Sequence, residues 1–136
     1  LGGAGACLRQ NMLLPVEVDA MSELQKAYYK PQVRFDWHQG PSPVSCAIDI
    51  SDGLLQDLGH LTKASACGAR LVEENIPLVT GALLEDALSA SDDYQLLFAS
   101  AQPQSEAFHI GELCAEKGIW LNGESIDIKG YKHFNA

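Results

Sequence analysis

Between Val44 and Ala64 the spacing of apolar residues changes once, from every second position to every third or fourth, which specifies a strand running directly into a helix. Val44, Cys46, Ile48 and Ile50 alternate with polar or small residues, so period-two geometry puts Asp49 and Ser51 together on the other face. Leu54, Leu55, Leu58, Leu61 and Ala64 then mark one face of a helix starting near Gly53, with Gln56, Asp57, His60 and Lys63 expected on the opposite face. The junction, Asp49-Ile50-Ser51-Asp52-Gly53, crowds two carboxylates and a hydroxyl where the strand stops.

Two readings of that junction stand side by side. Ser51 or Asp52 could cap the helix, its oxygen accepting an otherwise unpaired backbone N–H at the positive end of the helix dipole. Capping leaves Asp49 unexplained, because a carboxylate on an apolar strand is costly to bury unless it is paired, hydrogen-bonded or holding a metal. Two aspartates and a serine offer hard oxygen ligands, which suit Mg²⁺ or Ca²⁺ better than zinc, and a metal-phosphate site fits them best.

The rest of the chain alternates helices and strands without repeats. Helices are expected over 3–14, ending before Pro15, and over 21–29, ending before Pro31, with a loop from Gln32 to Pro43. Gly68 reads as the stop of the central helix, followed by a strand near 69–73, a short helix near 82–88 and a strand over 94–99. Pro103 suits the first turn of a helix in which Ala107, Ile110 and Cys114 share a face and which Gly118 ends. A strand at 119–121 and the turn signal Asn122-Gly123 close the pattern as a hairpin. At 136 residues and 46% hydrophobic content the chain can bury one sizeable core, so residues 1–136 are expected to form a single domain with helices layered on a sheet.

Charge and cysteine usage narrow the partners. A formal net charge of −9 argues against nucleic acid, whose phosphates call for a basic face. Polyphosphate stays open, because bound cations can bring phosphate to an acidic surface. Cys7, Cys46, Cys67 and Cys114 make no C-x-x-C pair, so neither zinc spacing nor a disulfide framework is visible and reduced thiols are the default. No apolar run approaches the roughly 20 residues a membrane span needs. His60, His109 and His133 lack partners at metal spacing, and Trp37 and Trp120 read as packing groups.

Three blocks of this sequence, in order, carry a family likeness. Ala47-Ile48-Asp49-Ile50-Ser51-Asp52-Gly53-Leu54, continued by Asp57-Leu58-Gly59-His60, resembles the C-terminal domain of bacterial thiamine-monophosphate kinases. Leu88-Ser89 and Asp92-Asp93-Tyr94-Gln95-Leu96-Leu97-Phe98 resemble the family's L-S-G-G-E-D-Y-E-L-L-F, and Gly130-Tyr131-Lys132-His133-Phe134 its closing G-Y-D-H-F. Gly2-Gly3-Ala4-Gly5-Ala6-Cys7-Leu8 is similar to the small-residue helix after the family's T-G strand.

The resemblance implies an α+β layered fold of the aminoimidazole ribonucleotide synthetase C-terminal type, in a C-terminal fragment whose N-terminal domain lies upstream. It implies a cytoplasmic enzyme that moves the γ-phosphoryl of ATP directly to thiamine monophosphate, giving thiamine diphosphate, with Mg²⁺ as cofactor. Carried over residue by residue, Asp49 and Asp52 would be Mg²⁺ ligands, Ser51 would contact ATP, and Asp92 and Tyr131 would contact the thiamine phosphate; no residue of this chain is assigned as an acid, base or nucleophile. The missing half would bring further metal-binding aspartates, much of the nucleotide pocket and the contact of a homodimer. Without the family, Asp92 and Asp93 equally fit a solvated turn and Tyr131 a packed terminal aromatic. Where the family has Gly-Gly-Glu this chain has Ala90-Ser91-Asp92, the one feature favouring a non-catalytic binding or assembly module. Another ATP-dependent synthetase of the same fold is the third alternative.

Overall fold

The computed structural model describes residues 1–13, 17–32, 44–89 and 92–127. The strand-to-helix junction lies at its centre. Strand β1 (Val44–Asp49) alternates half-buried and exposed positions as its sequence requires, and α3 (Leu54–Ala64) follows after a four-residue turn. The core gathers Ile50 at the end of β1 with Leu54, Leu55 and Leu58 of α3, together with Ala69, Leu71, Leu97 and Ile119. The last four belong to strands of two sheets, so the apolar face of α3 serves both.

β1 pairs antiparallel with β3 (Leu96–Ser100), Asp49 facing Leu96 and Ile48 facing Leu97. The second sheet has the order β4-β2-β5-β6, built from β2 (Gly68–Leu71), β4 (Gly111–Cys114), β5 (Ile119–Leu121) and β6 (Glu124–Ser125). β2 runs antiparallel to β4 and parallel to β5. Asn122 and Gly123, both at positive φ, turn β5 into β6, the hairpin expected of that dipeptide.

Helix α1 (Gly3–Arg9) buries Gly3, Ala4, Gly5, Ala6 and Cys7, and packs closely on α2 (Glu23–Tyr29). A Cβ on Gly3 would come within 3.2 Å of a Val79 methyl, so small residues are what let this helix approach. α2 starts in a capping box in which Ser22 and Gln25 exchange side-chain and backbone bonds, and α4 (Leu84–Ser89) precedes β3. No helix of the described residues is long and apolar enough to cross a membrane.

Several expectations are corrected. α1 ends at Arg9, five residues short of the reach to 14, with Asn11 at positive φ. The expected helix after Pro103 is absent: 103–110 is irregular and 111–114 is strand β4. The unpaired edge of β2 outweighs the weak helical spacing there, and Gly111 lets β4 approach where a Cβ would collide with the Arg70 carbonyl. Gly68 does not stop α3. The helix closes two residues earlier, with Ala66 N–H donating to the Lys63 carbonyl at 3.2 Å and Cys67 N–H to Thr62 at 3.0 Å, and Ala66 takes the left-handed conformation usually given to glycine. Of the loop expected from Gln32 to Pro43, residues 33–43 lie outside the described residues.

Candidate functional site

The acidic strand end is held open by a carboxylate that does no capping of the usual kind. Gly53, at φ 104°, occupies the N-cap position of α3 and carries no side-chain cap, so neither Ser51 nor Asp52 plays that role. Asp57 reaches back from the helix instead. Its Oδ2 accepts the backbone N–H groups of Ser51 at 2.9 Å and Asp52 at 3.0 Å. Asp57 is 3% exposed, which corrects its expected place on the polar face. The signal was in the sequence: position 57 is three residues after Leu54 and four before Leu61, on the buried stripe.

With the turn pinned, the remaining side chains are free to face outward. Asp49 is exposed and has no hydrogen-bond partner among the described residues, so the argument from the cost of burying it falls away and solvent carries its charge. Asp52 is half-buried and accepts Gln56 Nε2 at 3.0 Å; Ser51 is also half-buried.

The segment before β3 is tied to this strand end by the backbone. Ile50 N–H donates to the Gln95 carbonyl at 2.9 Å, and Tyr94 N–H donates to the Ile50 carbonyl at 2.8 Å. Asp49, Ser51 and Asp52 therefore share one lip with Asp92, Asp93 and Tyr94. Asp92 is exposed, whereas Asp93 is buried and accepts the Gly2 N–H at 2.6 Å, anchoring the start of α1. Tyr131, the other expected substrate contact, lies outside the described residues.

The lip is acidic. Among the described residues no ion pair reaches Asp49, Asp52 or Asp92, and no group of three His, Cys, Asp or Glu could by itself hold a metal ion. What the strand end offers is one exposed carboxylate, one half-buried carboxylate and a hydroxyl, a partial set of hard oxygen donors. Two shallow clefts elsewhere, one lined by Cys46, Cys67 and Cys114 and one by Ile76, Pro77 and Phe108, include none of these residues.

A polar strand end, a helix clamped behind it and mixed sheets around one core define an α+β layered domain, and its solved neighbours place it in the aminoimidazole ribonucleotide synthetase-like class. No family model matches the sequence. Curated relatives do. The thiamine-monophosphate kinase of Escherichia coli O157:H7 is 32% identical over 96% of this chain and 48% of its own length, and that of Salmonella typhimurium 33% identical over 96% and 48%. Among solved structures, AaThiL complexed with AMPPCP and TMP superposes with a TM-score of 0.79 at 28% identity, covering 98% of this chain and 48% of that one. Thiamine-monophosphate kinase from Stenotrophomonas maltophilia K279a gives 0.73 at 25% identity, over 92% and 48%. The chain belongs with the thiamine-monophosphate kinases, matching the C-terminal part of that family. It spans about half the length of the relatives it matches.

Proposed function

We propose that this chain, as one domain of residues 1–136, is the C-terminal part of a cytoplasmic, ATP-dependent kinase that converts thiamine monophosphate to thiamine diphosphate by direct transfer. The observation that carries the reading is the clamped acidic lip, in which Asp57 fixes the Ser51 and Asp52 amides while Asp49 stays outward. The relatives are thiamine-monophosphate kinases, and one was solved with AMPPCP, an ATP analogue, and TMP, which supports these two substrates.

On this reading Asp49 and Asp52 would hold Mg²⁺, for which carboxylate oxygens at a fixed strand end are suitable donors. The ion would supply charge neutralisation between phosphates. Ser51 donates its hydroxyl to ATP, and Asp92 and Tyr131 contact the thiamine phosphate. The chain's task is alignment: the clamp fixes the backbone of 51–52, so the donors meet their ligands without reorganising. The remaining ligands, much of the nucleotide pocket and a homodimer contact belong to the other half.

The test is steady-state turnover by the longer protein, with ADP and thiamine diphosphate both quantified across a magnesium titration. Equal amounts of the two products, lost on chelation, are expected. Ligand binding without turnover would favour the non-catalytic module suggested by Ala90-Ser91-Asp92, and ADP formed only with another acceptor would favour a synthetase of the same fold.

A further inference from the structure

Tyr94 occupies a backbone conformation its side chain does not favour. Its φ is 51°, left-handed space that costs a bulky residue energy and that is rarely kept without a reason. The conformation is over-determined by its neighbours. Asp93 is anchored to the Gly2 N–H, the Tyr94 N–H is spent on the Ile50 carbonyl, and the Gln95 carbonyl accepts the Ile50 N–H. Asp93 is consequently buried and Tyr94 is turned outward, 42% exposed, its hydroxyl without a hydrogen-bond partner among the described residues. A large ring is thus presented at a strained position, on the lip that carries Asp49, Ser51, Asp52 and Asp92.

Among the described residues the ring belongs to neither apolar cluster. Its setting selects a type of ligand. An exposed tyrosine face attracts planar rings, cationic ones most, and the acidic lip adds to the attraction for cationic rings while repelling anionic ones. We propose that Tyr94 is a substrate-stacking residue, its ring the platform for the positively charged aromatic ring of the phosphoryl acceptor. The proposal rests on the kinase reading, in which the thiazolium of thiamine monophosphate is that ring. It places specificity for the acceptor on the lip beside Asp92 and assigns Tyr94 no contact with ATP.

The experiment measures KM for thiamine monophosphate and for ATP separately in the longer protein, for Tyr94→Phe, Tyr94→Leu and Tyr94→Gly, alongside urea unfolding. Phenylalanine keeps the ring face and should stay within about twofold of the parent. Leucine and glycine should raise KM for thiamine monophosphate about tenfold, a typical loss of one stacking contact, and leave KM for ATP unchanged. Glycine is at ease at φ 51°, so Tyr94→Gly should hold or raise the urea midpoint while it weakens binding, a split that a structural tyrosine would not give. With an uncharged analogue of thiamine monophosphate the leucine variant and the parent should converge; an equal loss there overturns the cation preference. Unchanged acceptor KM in both leucine and glycine variants, with turnover intact, overturns the assignment alone. Absence of any turnover of thiamine monophosphate overturns the kinase reading and this assignment with it.

Discussion

One oxygen of Asp57 accepts the backbone N–H of Asp52 at 3.0 Å, and the same oxygen takes that of Ser51 at 2.9 Å. A buried carboxylate thereby substitutes for the missing N-cap side chain at Gly53 and makes the turn rigid before any ligand arrives. Asp57→Ala should leave two amides without their acceptor and lower stability by about 1–3 kcal/mol in urea unfolding. Asp57→Asn, which keeps one carbonyl acceptor, should fall between the parent and alanine. In the longer protein both variants should also lose turnover, because the donors at 51 and 52 would no longer be fixed. A stable Asp57→Ala variant would mean that the turn is held by other contacts.

A second buried carboxylate ties α1 to α4. Arg9 Nε and Nη2 donate to the two oxygens of Asp86 at 2.8 Å each, and the Leu83 N–H donates to Asp86 at 2.7 Å. The Arg9 hydrogen bonds hold the Asp86 carboxyl below its ordinary value, against burial, which pushes it up. A carboxylate whose pKa is lower in the folded state stabilises the protein above its unfolded pKa, and that contribution disappears as pH falls through the folded value. Arg9→Gln should therefore be less stable than the parent at neutral pH, and the gap should close below the ordinary carboxylate range. A gap independent of pH would show that Arg9 acts by packing alone.

The end of α3 supplies a pair of opposite predictions. Ala66 sits at φ 53°, where glycine is more comfortable, so Ala66→Gly should stabilise by up to about 1 kcal/mol. Gly68 is packed so that a Cβ would collide with the Glu116 carbonyl and come within 2.6 Å of that of Gly118, so Gly68→Ala should destabilise by about 1–3 kcal/mol or more. Thermal unfolding of the two variants should move in opposite directions. Equal effects would remove the structural distinction between these neighbours.

That pair also shows what a sequence conceals. Reading Gly68 as the helix stop follows the usual glycine preference, yet the conformation went to an alanine, and the glycine lets β2 start close against the backbone of the turn joining β4 to β5, distant in sequence. The same physics misplaced 103–118. Helical spacing of Ala107, Ile110 and Cys114 is local information, whereas the need of β2 for an antiparallel partner is not. Where local pattern and tertiary demand agree, as from Val44 to Ala64 and at Asn122-Gly123, the elements were legible to within a residue or two. Of the site, the acidic junction was readable and its clamp was not: Asp57 looks polar in a list and is buried only because it shares the stripe of Leu54 and Leu61.

The chain by itself should fold and yet not catalyse. Its core draws on both sheets and α3, so cooperative unfolding is expected. Among the described residues, however, no third acidic ligand joins Asp49 and Asp52 in a metal-holding group, and aligning two phosphate-bearing substrates asks for more than this lip offers. Purified residues 1–136 should form no thiamine diphosphate above background and bind Mg²⁺ weakly, at about millimolar or worse, since magnesium dehydrates reluctantly. Turnover free of contaminating kinase, or micromolar Mg²⁺ affinity by calorimetry, would contradict this.

Asp49 and Asp52 can be separated in the longer protein. Asp49 is exposed and unbonded among the described residues, so Asp49→Asn should change stability by less than about 0.5 kcal/mol, as surface substitutions do. If it is a metal ligand, the same change removes one charge from the phosphate-facing cluster and should cut turnover by about 100-fold or more. Asp52→Asn is the control for structure. Its acceptor from Gln56 Nε2 survives as the amide carbonyl, and Asp57 still holds the backbone N–H, so the turn should persist. A large activity loss at position 52 with an unchanged urea midpoint then belongs to ligand binding, and raised magnesium should restore part of it in both variants. Near-normal turnover in Asp49→Asn would remove Asp49 from the metal set, whereas a stability loss in Asp52→Asn matching its activity loss would return that residue to a structural role.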